Sequence, residues 1–265
     1  MLVQMTFREA LAKSERPLAG MWVCSGSSVA ADICAGAGLD WLLIDMEHSA
    51  NGLGTVLHQL QVAAAYPVVS VVRVPTNDPV IIKQVLDLGA QNVLVPMVST
   101  PEQARAAVEA VHYPPRGQRG VGSALARSAR WNRIPGYLVE AESHVSLFIQ
   151  VETAAGVEAA GEIASIDGID GVFVGPSDLA ASMGHLGKQD HQDVVEAVRR
   201  PFEAVREAGK PVGVNAFDHD LAEAYLADGA RFILVGADVA VLARGSEALA
   251  ARFVPDSRDP AKASY

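Results

Sequence analysis

The feature that most constrains the fold is an alternation of short apolar segments and amphipathic segments along the whole chain. Eight segments rich in branched apolar residues, typical of buried parallel strands, are each followed by a segment of helical periodicity. The strands are predicted at residues 18–23, 40–45, 68–74, 92–96, 145–151, 171–174, 211–214 and 232–235. Eight such units within 265 residues predict an α/β fold of the (β/α)8 type, the TIM barrel.

A doubly wound open sheet is the alternative architecture for the same alternation. It is disfavoured because no Gly-x-Gly-x-x-Gly motif follows the first predicted strand. Since no linker interrupts the pattern, we predict one barrel domain over residues 1–254 and a polar, flexible tail over 255–265. The barrel is expected to end in a short helix near 239–244 and a separate helix that begins at Ser246.

The composition disfavours several classes of protein. A formal net charge of -10 at pH 7 argues against nucleic acid and against anionic membrane surfaces as partners. The apolar runs are too short to span a membrane, and the first residues lack the apolar core of a signal peptide. Two cysteines, Cys24 and Cys34, provide no disulfide framework. We therefore expect a cytoplasmic protein that acts on small molecules.

One segment departs from the alternation. Residues 112–144, between the fourth and fifth predicted strands, are much longer than an ordinary helix-to-strand connection and contain Arg127, Arg130 and Arg133 around Trp131. Segments of this length are usually lids, subunit interfaces or disordered, and the arginine-rich and aromatic composition favours a subunit interface.

Two predicted strands lead into acidic residues. Polar residues at the carboxyl ends of barrel strands usually form the active site. Gln150 and Glu152 end the fifth strand on one face, and Ser177 and Asp178 follow the sixth strand. Two carboxylates with no cysteine or histidine beside them suit a hard cation such as Mg²⁺ or Mn²⁺. The alternative is that these acids cap the helices that follow, as Asp178 would do for a turn that begins at Leu179.

The second and third predicted strands supply the other candidates. Arg73 ends a strand rich in valine, and its guanidinium suits a substrate carboxylate or a developing enolate. The alternative for Arg73 is an ion pair with Asp45 or Glu47. His48 follows Asp45 by three residues, as expected of a general base that a carboxylate orients, although a loop histidine is more often simply solvated.

Other mechanisms find less support in the sequence. A Schiff-base aldolase needs a lysine at a strand end, and none of the five lysines is predicted there. Cys24 ends the first strand, but no base accompanies it as a nucleophile requires. A non-enzymatic scaffold is disfavoured by the complete set of polar residues at the strand ends.

Five blocks of the sequence form a recognisable set: Trp41-Leu-Leu-Ile-Asp-Met-Glu-His48, Val72-Arg-Val-Pro-Thr-Asn77, Tyr113-Pro-Pro-Arg-Gly-Gln-Arg-Gly120, Gln150-Val-Glu152 and Val174-Gly-Pro-Ser-Asp-Leu-Ala180. Together these blocks resemble the HpcH/HpaI family of metal-dependent pyruvate aldolases. This resemblance implies a barrel of the phosphoenolpyruvate/pyruvate type. It also implies a homohexamer, built as a dimer of trimers, in which the C-terminal helix is exchanged between neighbouring subunits.

The resemblance also implies roles for the candidates at the metal. Glu152 and Asp178 are expected to bind the metal, Gln150 to support the site, and Arg73 to contact the bound oxo acid. The implied metals are Mg²⁺ and Mn²⁺, with Co²⁺ and Zn²⁺ as further possibilities. Ser177 and Asp178 are expected to offer backbone N–H groups to the same substrate oxygens.

The implied reaction is reversible aldol cleavage of a 4-hydroxy-2-oxo acid to pyruvate and an aldehyde. Asp45 and His48 are the implied acid–base pair, and the implied relatives include 4-hydroxy-2-oxoheptanedioate and 2-dehydro-3-deoxyglucarate aldolases, which degrade aromatic compounds and sugar acids. The exit of the seventh strand around Asn215 departs from the family pattern, which leaves the aldehyde specificity open.

A lyase of CoA thioesters, of the citramalyl or malyl type, is the alternative function. Such an enzyme would need a basic groove for the nucleotide, and the only candidate for that groove is the cluster of Arg127, Arg130 and Arg133.

Overall fold

The computed structural model describes residues 4–254, which form a closed barrel of eight parallel strands. Each strand pairs with the next in chain order, and β8 pairs with β1. The strands are β1 (Leu18–Val23), β2 (Trp41–Asp45), β3 (Val69–Arg73), β4 (Asn92–Val95), β5 (Ser146–Val151), β6 (Gly171–Val174), β7 (Val212–Asn215) and β8 (Phe232–Ala237). The predicted barrel is confirmed, and the ends of its strands differ from the prediction by two residues at most.

Helices surround the barrel in the expected alternation. They are α1 (Phe7–Lys13), α2 (Ser28–Ala35), α3 (Leu53–Ala63), α4 (Pro79–Asp87), α5 (Pro101–Val111), α6 (Tyr137–Glu140), α7 (Ala154–Ala164), α8 (Pro176–Ser182), α9 (Gln192–Glu207), α10 (His219–Ala227) and α11 (Asp238–Phe253). Within residues 4–254, no helix is both long enough and apolar enough to cross a membrane. The predicted tail at 255–265 lies outside the described residues, so the domain boundaries stay a prediction.

The amino-terminal half of the barrel interior is filled by aromatic rings that lie against glycines. Because side chains alternate along a strand, every second residue points inward. A Cβ atom on Gly20 would lie 2.6 Å from the ring of Trp41, and one on Gly171 would lie 2.6 Å from the ring of Phe148. Since interiors pack at crystal density, these glycines provide the space that the rings occupy.

Helix α1 closes the amino-terminal end of the barrel. Its first residue, Phe7, places its ring centroid 4.8 Å from that of Trp41 and 5.1 Å from that of Phe148. The Phe7 N–H donates to Asn92 Oδ1 at 2.7 Å, which anchors the helix to β4. Because this end is sealed by apolar side chains, only the carboxyl ends of the strands remain open to a polar substrate.

The long segment at 112–144 lies at the sealed end of the barrel. Arg127 donates to the carbonyl oxygen of Leu88, just after α4, at 3.0 Å, and the buried Arg119 pairs with Asp87 at 3.2 Å. The segment therefore cannot be a lid over the open rim of its own barrel. Its predicted role as a subunit interface is not tested by one chain.

Helix α11 corrects the prediction of two separate C-terminal helices. It runs unbroken from Asp238 to Phe253 across Gly245 and Ser246. The Ser246 hydroxyl donates to the carbonyl oxygen of Leu242 at 2.8 Å, one turn earlier, so its polar group is satisfied inside the helix. A single glycine inside a helix costs only about 1 kcal/mol relative to alanine, and the neighbouring residues are good helix formers.

Candidate active site at the carboxyl end of the barrel

Asp45 and Arg73 form the centre of the open rim. They are the last residues of β2 and β3, and the parallel register sets them side by side. Arg73 Nε donates to Asp45 Oδ1 at 2.8 Å, and Arg73 Nη1 lies 2.8 Å from Glu47 Oε2. The sequence analysis gave an ion pair with Asp45 or Glu47 as the alternative interpretation of Arg73, and the structure contains both ion pairs.

The electrostatics fix Arg73 as a permanent cation. Burial opposes the charge, but the hydrogen bond and charge of Asp45, followed by the charges of Glu47 and Glu152, raise the pKa of Arg73 above its ordinary value. Its side chain is 6% exposed, and Nη2 makes no hydrogen bond within the described chain. The guanidinium is therefore held rigidly with one nitrogen left for a substrate.

Trp22, which the sequence analysis did not single out, lies against the guanidinium. The Arg73 Cζ atom is 4.3 Å from the centroid of the Trp22 ring, a cation–π contact. The Trp22 Nε1–H donates to Asn215 Oδ1 at 2.7 Å, which ties β1 to the end of β7. Its inward position follows from the two-residue period that also points Gly20 inward, so periodicity along β1 was the available signal.

Glu152 is a buried carboxyl group at the end of β5. It is 1% exposed, accepts a hydrogen bond from the Met97 N–H at 2.6 Å, and accepts a second from the Gln150 side-chain amide. A Cβ atom on Gly175 would lie 2.8 Å from Glu152 Oε2, so glycine is required for the close approach of β6. The predicted shared face of Gln150 and Glu152 is confirmed.

The pKa of Glu152 is the most informative shift at this rim. Burial raises the pKa of Glu152 to about 7, while the hydrogen bonds from Gln150 and Met97 act in the opposite direction. The nearby carboxylates of Glu47 and Asp178 raise it further. Burial also raises the pKa of Glu47, with Arg73 opposing and Asp45 and Asp178 adding to the shift. The carboxyl groups of Asp45, Glu47, Glu152 and Asp178 therefore lie close enough to interact electrostatically.

Asp178 does not cap a helix, which was the alternative interpretation. Helix α8 begins at Pro176 with Gly175 at its N-cap, and no side chain makes a capping hydrogen bond. Asp178 lies exposed in the first turn, where its carboxylate accepts no hydrogen bond within residues 4–254. Ser177, beside it, donates its hydroxyl to Gln189 Oε1 at 2.9 Å.

The donor set at the rim fits a hard divalent cation. Asp45, Glu47, Glu152 and Asp178 are four carboxyl groups that face one guanidinium, that of Arg73. Asp45 and Glu47 are paired with that guanidinium, whereas Glu152 and Asp178 are not. An uncompensated buried carboxylate is costly unless a cation or a proton neutralises it. The Gln150 Oε1 atom is also buried without a partner, as expected for an acceptor beside an ion's water shell.

His48 is placed differently from the expectation. Asp45 Oδ2 accepts the backbone N–H of His48 at 3.2 Å, not a ring N–H. The His48 side chain is 66% exposed, and its Nε2 lies 4.0 Å from Glu47 Oε2. Asp45 is engaged by Arg73 and by the loop backbone, so the carboxylate nearest the imidazole is Glu47.

Cys24 is held as a protonated thiol. Burial, followed by the charges of Asp45 and Asp238, raises the pKa of Cys24 to about 12. Because only a thiolate is an effective nucleophile, this value agrees with the expectation that Cys24 is not the nucleophile. Asp238 instead accepts the backbone N–H groups of Cys24 and Ser25, which ties β1 to the start of α11.

A closed (β/α)8 barrel with acids and one arginine at its open rim has the architecture of a barrel enzyme. The family model described as HpcH/HpaI aldolase/citrate lyase matches residues 18–245. The chain therefore belongs to the HpcH/HpaI aldolase/citrate lyase family, and it is an enzyme that acts on carbon–carbon bonds.

Individual relatives are similar over nearly their whole length. The hydroxypyruvate/pyruvate aldolase of Deinococcus radiodurans is 52% identical over 257 residues, which cover 97% of this chain and 92% of that protein. The 4-hydroxy-2-oxo-heptane-1,7-dioate aldolase of Klebsiella pneumoniae is 51% identical over 247 residues and 93% of both chains. A crystal structure of a family member from Burkholderia cenocepacia J2315 has a TM-score of 0.88 at 41% identity, covering 92% of this chain and 97% of that one.

The pKa of Glu152 predicts how stability changes with pH in the metal-free protein. Since the folded-state pKa of about 7 exceeds the ordinary 4.5, the native state binds more protons than the unfolded state between these values. Stability should therefore fall as pH rises through this window, with a contribution from Glu152 of about 3 kcal/mol. Glu152→Gln should remove that contribution.

The measurement is urea unfolding at pH 5 and pH 8 in chelating buffer, with exposed Glu158→Gln as the matched control. We expect the control to keep the wild-type loss of stability and Glu152→Gln to flatten it. An unchanged pH dependence in Glu152→Gln would show that this carboxyl group has an ordinary pKa.

Proposed function

We propose that the protein is a divalent-metal-dependent aldolase that reversibly cleaves 4-hydroxy-2-oxo acids to pyruvate and an aldehyde. The observation that carries the proposal is the buried carboxyl group of Glu152, which forms no ion pair within the described residues and lies near Asp178 and the fixed guanidinium of Arg73. Two relatives, a hydroxypyruvate/pyruvate aldolase and a 4-hydroxy-2-oxo-heptane-1,7-dioate aldolase, support this substrate class.

Glu152 and Asp178 would hold the metal in the proposed enzyme. An all-oxygen pair favours Mg²⁺ or Mn²⁺, with Co²⁺ and Zn²⁺ as weaker alternatives. The bound ion supplies Lewis-acid polarisation of the keto acid. Gln150 donates to Glu152 and thereby orients its carboxylate toward the open rim.

Arg73 would bind the oxygens of the keto acid. Its Nε and Nη1 atoms are held by Asp45 and Glu47, and the Trp22 ring supports its plane. Nη2 can therefore donate to a carboxylate or to a developing enolate without reorganisation. The backbone N–H groups of Ser177 and Asp178 in the first turn of α8, which lack helical acceptors, face the same rim.

His48 would move the protons of the reaction. Its exposed imidazole takes the proton of the C4 hydroxyl as the bond between C3 and C4 breaks, and it returns a proton to C3 of pyruvate. Glu47 is the carboxylate nearest to the ring, with Nε2 and Oε2 4.0 Å apart, and Asp45 holds the backbone of the same loop.

The CoA-thioester alternative gains no support from the geometry. Arg127, the member of the arginine cluster whose contact is described above, donates to a carbonyl oxygen at the sealed end of the barrel. A nucleotide bound there would lie at the opposite end from Glu152 and Arg73.

The expected homohexamer with exchanged C-terminal helices is also part of the proposal. Of the 16 residues of α11, only Asp238 is buried. Leu242, Leu249 and Phe253, at successive spacings of seven and four residues, expose their side chains on one face of the helix. Because such an apolar face is normally covered, a second copy of the chain is the proposed cover. The expected cytoplasmic location is supported by two free cysteines.

The catalytic proposal predicts the effect of removing a metal ligand. Asp178→Asn should lower kcat/KM for pyruvate release by at least about a thousandfold, because the charge that neutralises the cation is lost. The matched control is Asp190→Asn, an exposed acid on the loop after α8, which should keep wild-type activity.

The assay is coupled pyruvate release on a panel of 4-hydroxy-2-oxo acids, after chelation and after add-back of Mg²⁺ or Mn²⁺. We expect chelation to abolish activity in the wild type and add-back to restore it. Undiminished turnover by Asp178→Asn in chelated buffer would rule out the proposed metal mechanism.

The assembly proposal predicts the effect of a charge on the exposed face of α11. Leu242→Lys should shift the wild-type hexamer to smaller species, because a buried lysine without a partner is costly at an apolar interface. Arg244→Ala, on the opposite side of the helix, should leave the assembly intact. Light scattering after size exclusion measures both, and a monomeric wild type would refute the exchange.

A further inference from the structure

We propose a second metal site, of imidazole type, in the segment between α8 and α9. His185, His191 and Asp193 bring one ligand atom each to a common point, and these atoms all lie within 4.8 Å of one another. None of the three belongs to the rim cluster around Glu152 and Arg73. Two histidines and one carboxylate are a protein ligand set that binds transition metals and leaves a further position for water.

The distances are close to those that a metal requires. Asp193 Oδ2 lies 3.7 Å from His185 Nε2 and 3.8 Å from His191 Nδ1. Bonds of about 2.0–2.1 Å in a tetrahedral arrangement place two donor atoms about 3.4 Å apart. The two distances to Asp193 must therefore shorten by roughly 0.4 Å, and all three side chains are exposed enough to move.

The two imidazole rings are stacked when no metal is bound. Their centroids are 3.9 Å apart and their planes differ by 21°. A metal bonds in the plane of an imidazole, so binding requires one ring to turn its edge toward Asp193. His185 lies in the loop and its ring makes no hydrogen bond within the described chain, so it is the ring that turns.

Helix capping explains one of the histidines but not the other. His191 is the N-cap of α9, and its Nδ1 accepts the Asp193 N–H at 3.2 Å. His185 does not cap a helix, and its ring makes no hydrogen bond within the described chain. The carboxylate nearest to its ring is that of Asp193. Because the Nδ1 atom of His191 has a single lone pair, a metal bound there replaces the hydrogen bond from the Asp193 N–H, and the ring of His185 supplies the second imidazole.

The two sites differ in whether they can bind Mg²⁺. Imidazole nitrogen favours Zn²⁺, Ni²⁺, Co²⁺ and Cu²⁺, whereas Mg²⁺ requires oxygen ligands. The all-oxygen pair of Glu152 and Asp178 binds Mg²⁺ as well. A transition metal offered in excess Mg²⁺ therefore distinguishes the two sites.

The bound metal would fasten the loop that reaches back to the rim. His185 is anchored to α8 by its backbone N–H, which donates to the Ala180 carbonyl oxygen at 2.7 Å. Within the same loop, Gln189 accepts the hydroxyl of Ser177, the neighbour of Asp178. A metal ion bound by His185, His191 and Asp193 would link the beginning of this loop to its end. We therefore assign the site a stabilising role at the edge of the catalytic rim.

Calorimetric titration with Co²⁺ in millimolar Mg²⁺ tests the site. We expect wild type to bind one more equivalent of Co²⁺ per chain than His185→Gln, which keeps the helix cap of His191 intact. The matched control is His219→Gln, an exposed histidine at the start of α10, which should bind as wild type does. Equal stoichiometry in wild type and His185→Gln overturns the proposal.

Limited proteolysis provides a readout that does not depend on the rim. Lys188 is exposed in the loop between the two histidines, so trypsin cleavage after it reports on the closed loop. At a Co²⁺ concentration about a hundred times the Kd, cleavage should slow by at least about tenfold in wild type and not in His185→Gln. The same Co²⁺ effect in both proteins would also overturn the proposal. The Asp178→Asn variant retains the ligands His185, His191 and Asp193. It should therefore still bind the additional equivalent of Co²⁺, even if the rim binds no metal.

Discussion

The excess of carboxyl groups over guanidinium at the open rim is the constraint on which the rest of the site depends. Arg73 is paired with both Asp45 and Glu47, and its single positive charge cannot also neutralise Glu152 and Asp178. Because Glu152 is buried and its pKa is about 7, either a proton or a cation can neutralise it near neutral pH. A site with this balance of charge suits a divalent ion together with an anionic substrate.

The barrel separates these charged groups, at its carboxyl end, from the apolar side chains at its amino-terminal end. Aromatic rings and α1 fill the amino-terminal half of the barrel interior, so the groups buried there are apolar. The same inward-facing period then delivers Asp45, Arg73 and Gln150 to the other end. Because strands hold these side chains, their positions do not depend on flexible loops.

The sequence could predict what periodicity controls. Eight strands, the shared face of Gln150 and Glu152, and the placement of Arg73 beside Asp45 all follow from the two-residue period and from parallel pairing. Periodicity places Trp22 inside the barrel but does not report its contact with Arg73, so that contact was missed. It also does not show that the exposed His48 ring lies nearer to Glu47 than to Asp45. The unbroken helix α11 was missed because a glycine followed by a serine indicates a helix break, whereas the helix continues through both residues.

Anomalous diffraction from crystals soaked with Mn²⁺ and pyruvate tests the central claim most directly. We predict one peak at the rim within bonding distance of both Glu152 and Asp178, with the pyruvate carboxylate or keto oxygen next to Arg73 Nη2. A rim without manganese at saturating concentration, or a peak bonded to neither carboxylate, would contradict the assignment of these two acids as the metal ligands.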